Sequence, residues 1–374
     1  MQNIKIMAPC MFGVEGILAE ELKRLGADNI KSENGRVFFS GDINTVAAAN
    51  LGLRTAERVL IVLGEFNATT FDELFEGVKN IPFENFVSSK DAFPVTGYSI
   101  SSQLHSIPDC QSIIKKAIVE RLKQKYNISW FEETGSIHKI RFSILKNKVL
   151  IGLDTSGEGL HKRGYRAHSM VAPIKETLAA AMCLLARIYD DTKLYDPFCG
   201  SGTILIEAAL IAKNMAPGLK RNFAAERFST DFENAFKSER NRFLNEIKPK
   251  IDFCGFGSDI DEASVALTKE NSKKAGVFDL IKANRCDIRD LNLPDGRMLL
   301  ITNPPYGERL SDLKGAEELY KIMGKKMPKE QGKKYFIISP CEEFESIFGR
   351  IADKKRKLYN GMIKCQLYMY FKNN

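Results

Sequence analysis

The sequence predicts an α/β protein in two parts, an N-terminal α+β half and a C-terminal parallel sheet with helices on both faces. Two observations carry this prediction. Residues 4–66 alternate in the order β-α-β-β-α-β, and from residue 193 onward predicted strands alternate with helices. The length of 374 residues exceeds what one hydrophobic core usually serves, which fits more than one domain.

Residues 1–66 have the pattern of a ferredoxin-like unit. IKIMAP is a predicted strand, FGVEGILAEELKRLG an amphipathic helix, and NIKSENGRVFFSG two strands joined at Asn34-Gly35. An Asn-Gly pair favours a two-residue hairpin turn because both residues tolerate positive φ. INTVAAANLGLRTA is then a helix and ERVLIVLGEF a strand, which completes the order.

The next region contains a long basic helix. In CQSIIKKAIVERLKQKY, apolar residues recur with helical spacing at 113, 114, 117, 118 and 122. Lys115 and Lys116 would lie on the opposite, exposed face. KIRFSILKNKVLIGLDTS closes the region as two strands. Residues 156–170 hold three glycines and five basic residues counting His161 and His168, which is typical of a linker.

Composition and charge exclude several classes of function. No apolar run approaches the roughly 20 residues that span a bilayer, and the N-terminus lacks a signal-peptide pattern, so we expect a cytoplasmic protein with no membrane partner. The 8 cysteines lie far apart and the 4 histidines are isolated, which predicts free thiols and no metal site. Net charge is +8, and residues 101–170 carry 12 Lys/Arg against 6 Asp/Glu. Such an excess indicates either a polyanionic partner or merely a solvated face.

The loop Asp196-Pro197-Phe198-Cys199-Gly200-Ser201-Gly202-Thr203 lies between a predicted strand and a long apolar helix. Gly200 and Gly202 let the backbone approach a ligand where a Cβ would collide. The start of the helix favours negative charge, such as a carboxylate. The loop is neither a P-loop nor the usual dinucleotide G-x-G-x-x-G. A glycine turn between strand and helix also occurs without a ligand, so this motif alone leaves both interpretations open.

Acidic residues follow the next two predicted strands. Asp259, with Ile260 beside it, ends the strand in GFGSDID, where a carboxylate can accept hydrogen bonds from ribose hydroxyls. Asp287, followed by Ile288, comes after the third strand, where it could meet an adenine amino group. A helix cap or a turn explains Asp287 nearly as well.

The motif Asn303-Pro304-Pro305-Tyr306-Gly307 follows the apolar strand MLLIT. The two prolines fix φ and remove two backbone donors, which leaves the Asn303 side-chain oxygen and the Pro304 carbonyl as acceptors without nearby donors. Together they can receive both hydrogens of an exocyclic amine, and Tyr306 offers a flat surface on which the ring carrying that amine can stack. A rigid turn would need the prolines and the glycine, but not Asn303 and Tyr306. These residue types therefore predict a site for an aromatic amine.

The order of these four loops resembles that of class I S-adenosylmethionine-dependent methyltransferases with an N/D-P-P-Y/F motif. The stretch LDTSGEGLHKRGYR followed by APIKETLAAA is similar to bacterial 23S ribosomal RNA guanine-N2 methyltransferases with a THUMP domain, a group often labelled N6-adenine-specific DNA methylases. The resemblance implies a ferredoxin-like subdomain at 1–66, a THUMP RNA-binding region at 45–155, a linker at 156–170 and a Rossmann-like catalytic domain at 165–374.

The resemblance also implies S-adenosylmethionine as the cofactor and RNA as the partner. The implied cofactor contacts, from the methionine end to the adenine, are Thr177, Asp196, Pro197, Phe198, Gly200, Gly202, Thr203, Asn303, Asp259, Ile260, Asp287 and Ile288. The implied catalytic motif is Asn303, Pro304, Pro305 and Tyr306. Predicted RNA contacts are Lys115, Lys116, Lys162, Arg163, Tyr165 and Arg166. The last four of these residues would equally suit a linker with no RNA contact.

Several hypotheses about function follow. The leading one is methylation of guanine N2 in 23S ribosomal RNA, and the NPPY motif allows N6-adenine methylation of DNA or RNA equally. A glutamine methyltransferase is favoured less, because a peptide substrate gives no reason for an RNA-binding front half. A non-catalytic RNA-binding protein is a different class, and the intact Asn303, Tyr306, Asp196 and Asp259 argue against it. The insertion 214–250 is either a lid over the base pocket or a packing appendage.

Overall fold

Two seven-stranded sheets organise the protein, one in each half. The computed structural model describes residues 3–166, 174–307 and 310–372, with the side chains of 310–313 left out. The predicted α/β class in two parts is confirmed. No helix in these ranges is both long and apolar enough to cross a membrane. The last part of the predicted linker, 167–170, lies outside the described residues.

The first sheet is shared by the ferredoxin-like unit and the region that follows it. Its elements are β1 (Ile4–Pro9), α1 (Glu15–Arg24), β2 (Asp28–Glu33), β3 (Arg36–Gly41), α2 (Ile43–Gly52), β4 (Leu60–Asn67), α3 (Phe71–Lys79), β5 (Val95–Ile100), α4 (Ile107–Tyr126), β6 (Ile140–Leu145) and β7 (Lys148–Asp154). The strand order is β2-β3-β1-β4-β7-β6-β5. Because β4 pairs with β7 along its whole length, the two regions form one continuous sheet. The predicted β-α-β-β-α-β order is confirmed.

Local sequence signals explain the turn and the long helix of this half. Asn34 and Gly35 form the turn between β2 and β3, and Gly35 has a φ of 74°. Helix α4 buries four of the five predicted apolar positions, 114, 117, 118 and 122, and also Cys110, whereas Ile113 is only partly buried. The helix ends at Asn127, whose φ of 52° is left-handed.

The second sheet is parallel except at one edge. Its elements are α5 (Glu176–Ala186), β8 (Lys193–Asp196), α6 (Thr203–Ala212), α7 (Thr230–Asn245), β9 (Cys254–Asp259), α8 (Glu262–Ala275), β10 (Ile281–Arg285), β11 (Met298–Thr302), α9 (Leu310–Lys326), β12 (Lys333–Ser339), α10 (Phe344–Phe348), β13 (Lys354–Asn360) and β14 (Ile363–Tyr370). The strand order is β10-β9-β8-β11-β12-β14-β13. The first five strands are parallel, and β14 and β13 are antiparallel. The strand order reverses between β8 and β11, which is where open α/β sheets bind ligands.

Residues 156–166 are not a linker, and that prediction is wrong. Ser156, Leu160, Arg163 and Tyr165 are all buried. Glycines and charged residues suggest a solvated segment, but the buried Arg163 forms an ion pair with the buried Glu207. The segment is therefore part of the packed interface between the two halves.

The insertion 214–250 is a packing element. Its helix α7 places Phe232, Phe236 and Phe243 in the same hydrophobic core as the N-terminal sheet. Phe228 stacks on His138, with ring centroids 4.1 Å apart. Of the two alternatives left by the sequence, the structure supports the packing appendage, which here joins the two halves.

A buried ion pair crosses the same boundary. Arg163 Nε lies 3.4 Å from Glu207 Oε1 on α6, and the two side chains are 2% and 0% exposed. The Tyr165 hydroxyl donates to the same carboxylate oxygen at 3.1 Å. Arg163 also donates to the backbone carbonyls of Leu160 and Arg54. Because a buried charge is tolerated only when it is paired, this network fixes the N-terminal half against α6.

Replacing Glu207 tests this network. We expect Glu207→Gln to lower the free energy of unfolding by about 3–5 kcal/mol, because Arg163 stays buried without its counter-charge. Urea denaturation followed by circular dichroism measures the loss. The control is Glu20→Gln, which breaks an exposed pair with Lys23 at 2.8 Å and should leave the free energy of unfolding nearly unchanged. Equal losses in the two variants would contradict the role given to Glu207.

Candidate functional site

The glycine loop between β8 and α6 has one crowded and one open glycine. Gly200 and Gly202 have φ values of 51° and 79°, in the left-handed region. A Cβ at Gly202 would lie 2.8 Å from Cγ2 of Thr268, whereas a Cβ at Gly200 would meet nothing within 4 Å. Packing therefore requires a glycine at 202, and the space beside Gly200 leaves room for a ligand.

Side chains of α8 hold the loop in this shape. The Thr268 hydroxyl donates to the Gly200 carbonyl at 2.8 Å, and Asn271 Nδ2 donates to the Ser201 carbonyl at 2.9 Å. Sequence reasoning missed both residues, because polar positions on a predicted amphipathic helix are expected to face solvent. Their hydrogen bonds fix the loop from the side of α8.

Asp259 joins the glycine loop to the end of β9. Its Oδ2 accepts from the Gly200 amide at 3.0 Å, and its Oδ1 accepts from the Asp261 amide at 3.1 Å. A carboxylate has about four acceptor positions, so positions remain for ribose hydroxyls. Ile260, the next residue, is exposed. The structure thus places the predicted ribose carboxylate directly against the glycine loop.

Asp196 and Thr302 connect the glycine loop to the NPPY motif. The Thr302 hydroxyl donates to Asp196 Oδ1 at 2.7 Å, and the Phe198 amide donates to the same oxygen at 3.3 Å. Both residues are buried at the ends of neighbouring strands. Sequence reasoning missed Thr302, although its position directly before Asn303 was a signal. Through this bond, the structure brings the two motifs together.

The third loop is arranged as a helix cap. Asp287 precedes a short 3-10 helix and accepts from the Arg289 amide at 2.8 Å and from the Arg289 guanidinium at 3.1 Å. The cap that the sequence left open as an alternative is therefore present. Ile288 is buried in the hydrophobic core with Leu300 and Tyr320, so its side chain packs there. Adenine contacts by Asp287 and Ile288 stay a prediction.

Of the two acceptors predicted for the amine, Asn303 Oδ1 and the Pro304 carbonyl, the first already has a donor. The Tyr306 hydroxyl donates to Asn303 Oδ1, which corrects the prediction that this oxygen lacks a nearby donor. Within the described part of the chain, the Pro304 carbonyl accepts no hydrogen bond, and the Pro305 carbonyl accepts from Tyr320 at 3.1 Å. Burial raises the pKa of the Tyr306 hydroxyl, so the group remains a neutral donor.

Two predicted RNA contacts are wrong. Arg163 and Tyr165 are buried and bound to Glu207, so neither side chain is available to RNA. Arg166 donates to the Ile174 carbonyl at 3.0 Å and to the Thr203 hydroxyl at 3.1 Å, between the first turns of α5 and α6. The guanidinium of Arg166 therefore lies beside the glycine loop, a place that its linker-like surroundings in the sequence did not indicate.

The other predicted contacts have ordinary partners. Lys162 is exposed and pairs with Glu158 at 3.2 Å. Lys115 lies 3.6 Å from the centroid of the Phe93 ring, and Lys116 is exposed on the same helix. Their contacts with RNA stay predictions.

Thr177 at the start of α5 links the two halves. Its hydroxyl donates to Glu57 Oε1 at 2.9 Å, and Glu57 precedes β4 of the N-terminal sheet. A contact between Thr177 and the cofactor stays a prediction.

The loops described above lie where the strand order of a mostly parallel sheet reverses, and an antiparallel pair of strands forms one edge of that sheet. This arrangement defines a class I methyltransferase. Comparison with known families agrees: residues 163–369 match the RMKL-like methyltransferase domain, residues 5–60 the RlmL ferredoxin-like domain, and residues 68–154 the THUMP domain. The chain belongs to this RMKL-like methyltransferase family. The resemblance stated from the sequence is confirmed.

Relatives match along almost the whole chain. A Bacillus subtilis (strain 168) protein named "Putative RNA methyltransferase YpsC" is 44% identical over 99% of this chain and 97% of its own length. "Ribosomal RNA large subunit methyltransferase K/L" of Syntrophotalea carbinolica is 33% identical over 97% of this chain and 53% of its own length. The chain thus spans about half the length of that K/L relative. A solved structure named "SMU.472, a putative methyltransferase complexed with SAH" is 40% identical, covers 100% of this chain and 99% of the other, and has a TM-score of 0.93.

S-adenosylmethionine is the cofactor of this methyltransferase. The structure fits it, because open space lies beside Gly200 where no Cβ intrudes, and the Asp259 carboxylate borders that glycine. Asp196, the glycine loop and Asp259 are the residues that would hold it.

Asp196 predicts a pH dependence of stability. Burial raises the pKa of this carboxyl from 3.8 to about 7, with a smaller contribution from Asp259. In the unfolded chain the Asp196 carboxyl loses its proton near pH 4, whereas in the native state it keeps the proton up to about pH 7. As pH rises through this window, wild type should lose stability relative to Asp196→Asn, by at most about 4 kcal/mol.

Urea unfolding of both proteins across about pH 5 to 8 measures this difference. The control is Asp261→Asn. Asp261 caps α8, and hydrogen bonds from Ser264 and the α8 amides lower its pKa, so its effect should not change with pH in this range. A pH-independent difference for Asp196→Asn would contradict the raised pKa.

Proposed function

We propose that this methyltransferase modifies an exocyclic amine of a base in RNA, namely N2 of a guanine in 23S ribosomal RNA. One observation carries the proposal. The amine-accepting Asn303 follows Thr302, which is bonded at 2.7 Å to Asp196 at the base of the cofactor loop. A base held by Asn303 therefore lies beside the cofactor site.

The residues of the NPPY motif supply positioning and electrostatics. When bound, S-adenosylmethionine supplies a methyl group on a positively charged sulfur, which makes that carbon electrophilic. An exocyclic amine is a poor nucleophile, because its lone pair is delocalised into the ring. Asn303 Oδ1 and the Pro304 carbonyl accept its two hydrogens outside the ring plane and so localise the lone pair on nitrogen. Neither oxygen is a strong base, so the proton leaves after transfer, when the nitrogen is far more acidic.

Base entry involves the hydrogen bond between Tyr306 and Asn303. The Asn303 carbonyl oxygen has two lone pairs, and Tyr306 uses one of them. A hydrogen of the amine can be donated to the lone pair of Asn303 Oδ1 that Tyr306 leaves free. It can also be donated to the lone pair that Tyr306 occupies, when the Tyr306 hydroxyl turns away. The ring of Tyr306 then supplies the stacking surface for the base.

The N-terminal half supports RNA as the substrate. A THUMP domain match covers 68–154, and the relatives named above are called RNA methyltransferases. A base inside a duplex cannot reach a loop-lined site at a sheet edge, so the target must be unpaired or flipped out. Ribosomal RNA provides such bases in loops, and this substrate implies that the enzyme acts in the cytoplasm.

Nucleoside mass spectrometry tests the proposed substrate. Ribosomal RNA and DNA from a strain lacking this gene are digested and compared with those of the parent strain. We expect N2-methylguanosine to decrease in 23S ribosomal RNA and to return when the gene is restored. A loss of N6-methyladenine instead would support the adenine alternative, and unchanged nucleosides in both pools would refute both.

Asn303→Ala tests the amine clamp separately from cofactor binding. We expect kcat on ribosomal RNA to fall by about 100-fold or more, because one of the two oriented acceptors is lost. Calorimetry should show that the variant still binds S-adenosylmethionine and that the Kd changes far less than kcat, since Asp196 and Asp259 are unchanged. The control is Asn241→Ala on the exposed face of α7, which should change neither quantity. Retained turnover in Asn303→Ala would refute the clamp.

A further inference from the structure

The hairpin formed by β13 and β14 extends past the edge of the sheet that carries the site. Ser339, the last residue of β12, pairs with Gln366 of β14. Residues 363–365 of β14 and their partners on β13 therefore lie beyond the carboxyl end of β12. Three residues of strand extend about 10 Å. The NPPY motif follows β11, and β11 and β12 are parallel neighbours. The end of the hairpin therefore lies beside the NPPY motif and borders it.

One side of this hairpin contacts Tyr306. Asn360 Nδ2 lies 3.4 Å and Cys365 Sγ lies 3.8 Å from the Tyr306 hydroxyl oxygen, and both groups donate to it. Leu358 and Cys365 are buried on this side. The hairpin is thus anchored to the residue on which the target base would stack.

The turn of the hairpin is well defined. Asn360 pairs with Ile363, so that Gly361 and Met362 form a two-residue turn, and Gly361 has a φ of 63°. A glycine with positive φ at the first turn position matches the right-handed twist of hairpin strands. Met362 at the second position is 97% exposed.

The other side of the hairpin is basic and aromatic. Residues 357–364 contain two lysines, Lys357 and Lys364, and no Asp or Glu. Tyr359 pairs across the strands with Lys364, and Lys357 lies on the same side two residues earlier. The Lys357 ammonium is 5.4 Å from the centre of the Tyr359 ring. Neither Lys357 nor Lys364 forms an ion pair within the described ranges, so both charges are available to a partner.

A second aromatic ring comes from the N-terminal half. Phe12 is 58% exposed and lies with its ring centroid 6.2 Å from that of Tyr359. The loop that carries Phe12 is fixed to the hairpin, because Arg356 Nε donates to the Gly13 carbonyl at 2.9 Å. A Cβ at Gly13 would lie 2.5 Å from the Lys357 carbonyl, so only glycine allows this approach. The two rings are therefore held together before any partner binds.

We infer that Phe12, Lys357, Tyr359, Met362 and Lys364, here called the hairpin face, bind the RNA nucleotides next to the target base. The inference rests on the proposed function. The exposed ring of Phe12 and the partly exposed ring of Tyr359, with Lys357 and Lys364 beside Tyr359, offer what single-stranded RNA requires. Bases stack on the rings, and phosphates meet the ammonium groups. A strand that leaves the base pocket beside Tyr306 passes over this hairpin.

The charge contribution is tested with Lys357→Gln/Lys364→Gln. The probe is a fluorescently labelled single-stranded RNA of about 20 nucleotides, longer than most single-strand sites. We expect the Kd for RNA to rise by about 10-fold or more near 0.1 M salt. The slope of log K against log salt should become shallower by about 1.4, because each lost phosphate contact on a single strand removes about 0.7.

A matched pair at the opposite end of the sheet serves as the control. Lys334 and Lys354 are exposed near the amino end of β12 and the start of β13. Lys334→Gln/Lys354→Gln removes the same charge and should change the Kd by less than about twofold. Equal losses in the two double variants would overturn the inference, because they would show a long-range charge effect without a local contact.

The stacking contribution is tested at Tyr359. Tyr359→Ala should weaken RNA binding at least about fivefold, whereas Tyr359→Phe keeps the ring and should restore most of the affinity. The S-adenosylmethionine Kd should be unchanged in both variants, because the cofactor loops are not touched. Wild-type RNA affinity in Tyr359→Ala would count against the hairpin face.

The outcomes separate this inference from the proposed function. If wild type binds and methylates RNA but the lysine and tyrosine variants do so equally well, the hairpin face is refuted and the proposed function stands. If wild type neither binds this RNA nor methylates ribosomal RNA, both are refuted. Loss of RNA affinity with intact cofactor binding supports both.

Discussion

The site depends on one buried hydrogen bond, from the Thr302 hydroxyl to the Asp196 carboxyl. The two residues end neighbouring strands on either side of the point where the strand order reverses. The bond therefore lies at the base of the cleft in which open α/β sheets bind ligands. The Asp196 carboxyl loses its hydration and, among the residues that the structure describes, accepts hydrogen bonds from Thr302 and the Phe198 amide. This loss of hydration raises its pKa to about 7. The bond also ties the cofactor loop to the strand end that carries Asn303.

A second constraint sets the RNA-binding half relative to that cleft. Arg163 is buried against Glu207 on α6, the helix that begins at the glycine loop. Glu57, just before β4, accepts from Thr177 at the start of α5, and the insertion contributes its phenylalanines to the N-terminal core. These contacts tie the N-terminal sheet to the two helices that border the cofactor site. RNA bound by the N-terminal half is therefore presented at a fixed distance from Asn303, and distant binding energy can position the base.

The sequence predicts those parts of the structure that local patterns determine. The β-α-β-β-α-β order, the Asn34-Gly35 turn and the residues at the strand ends follow from spacing and turn chemistry. Residues 156–166 were predicted as a linker because glycines and charges are typical of one. The prediction failed because the partner of Arg163, Glu207, lies 44 positions away in the sequence. Strand β13 was missed because KKRKLYN has no alternation; lysines suit an edge strand, where they discourage further pairing. The donor to Asn303 was missed because it depends on how the Tyr306 ring packs.

Tyr306 connects the clamp to the hairpin, and its two hydrogen-bonding roles explain how it can serve both. Its proton goes to Asn303, while its oxygen accepts from Asn360 and Cys365. When an amine takes the place of the tyrosine proton at Asn303, the oxygen still has its two donors, so the ring keeps its position. In the proposed mechanism, the Tyr306 hydroxyl can therefore turn away from Asn303 while its oxygen keeps both donors. The hairpin therefore does more than border the pocket, because its donors hold the stacking surface in place during the exchange of hydrogen bonds at Asn303.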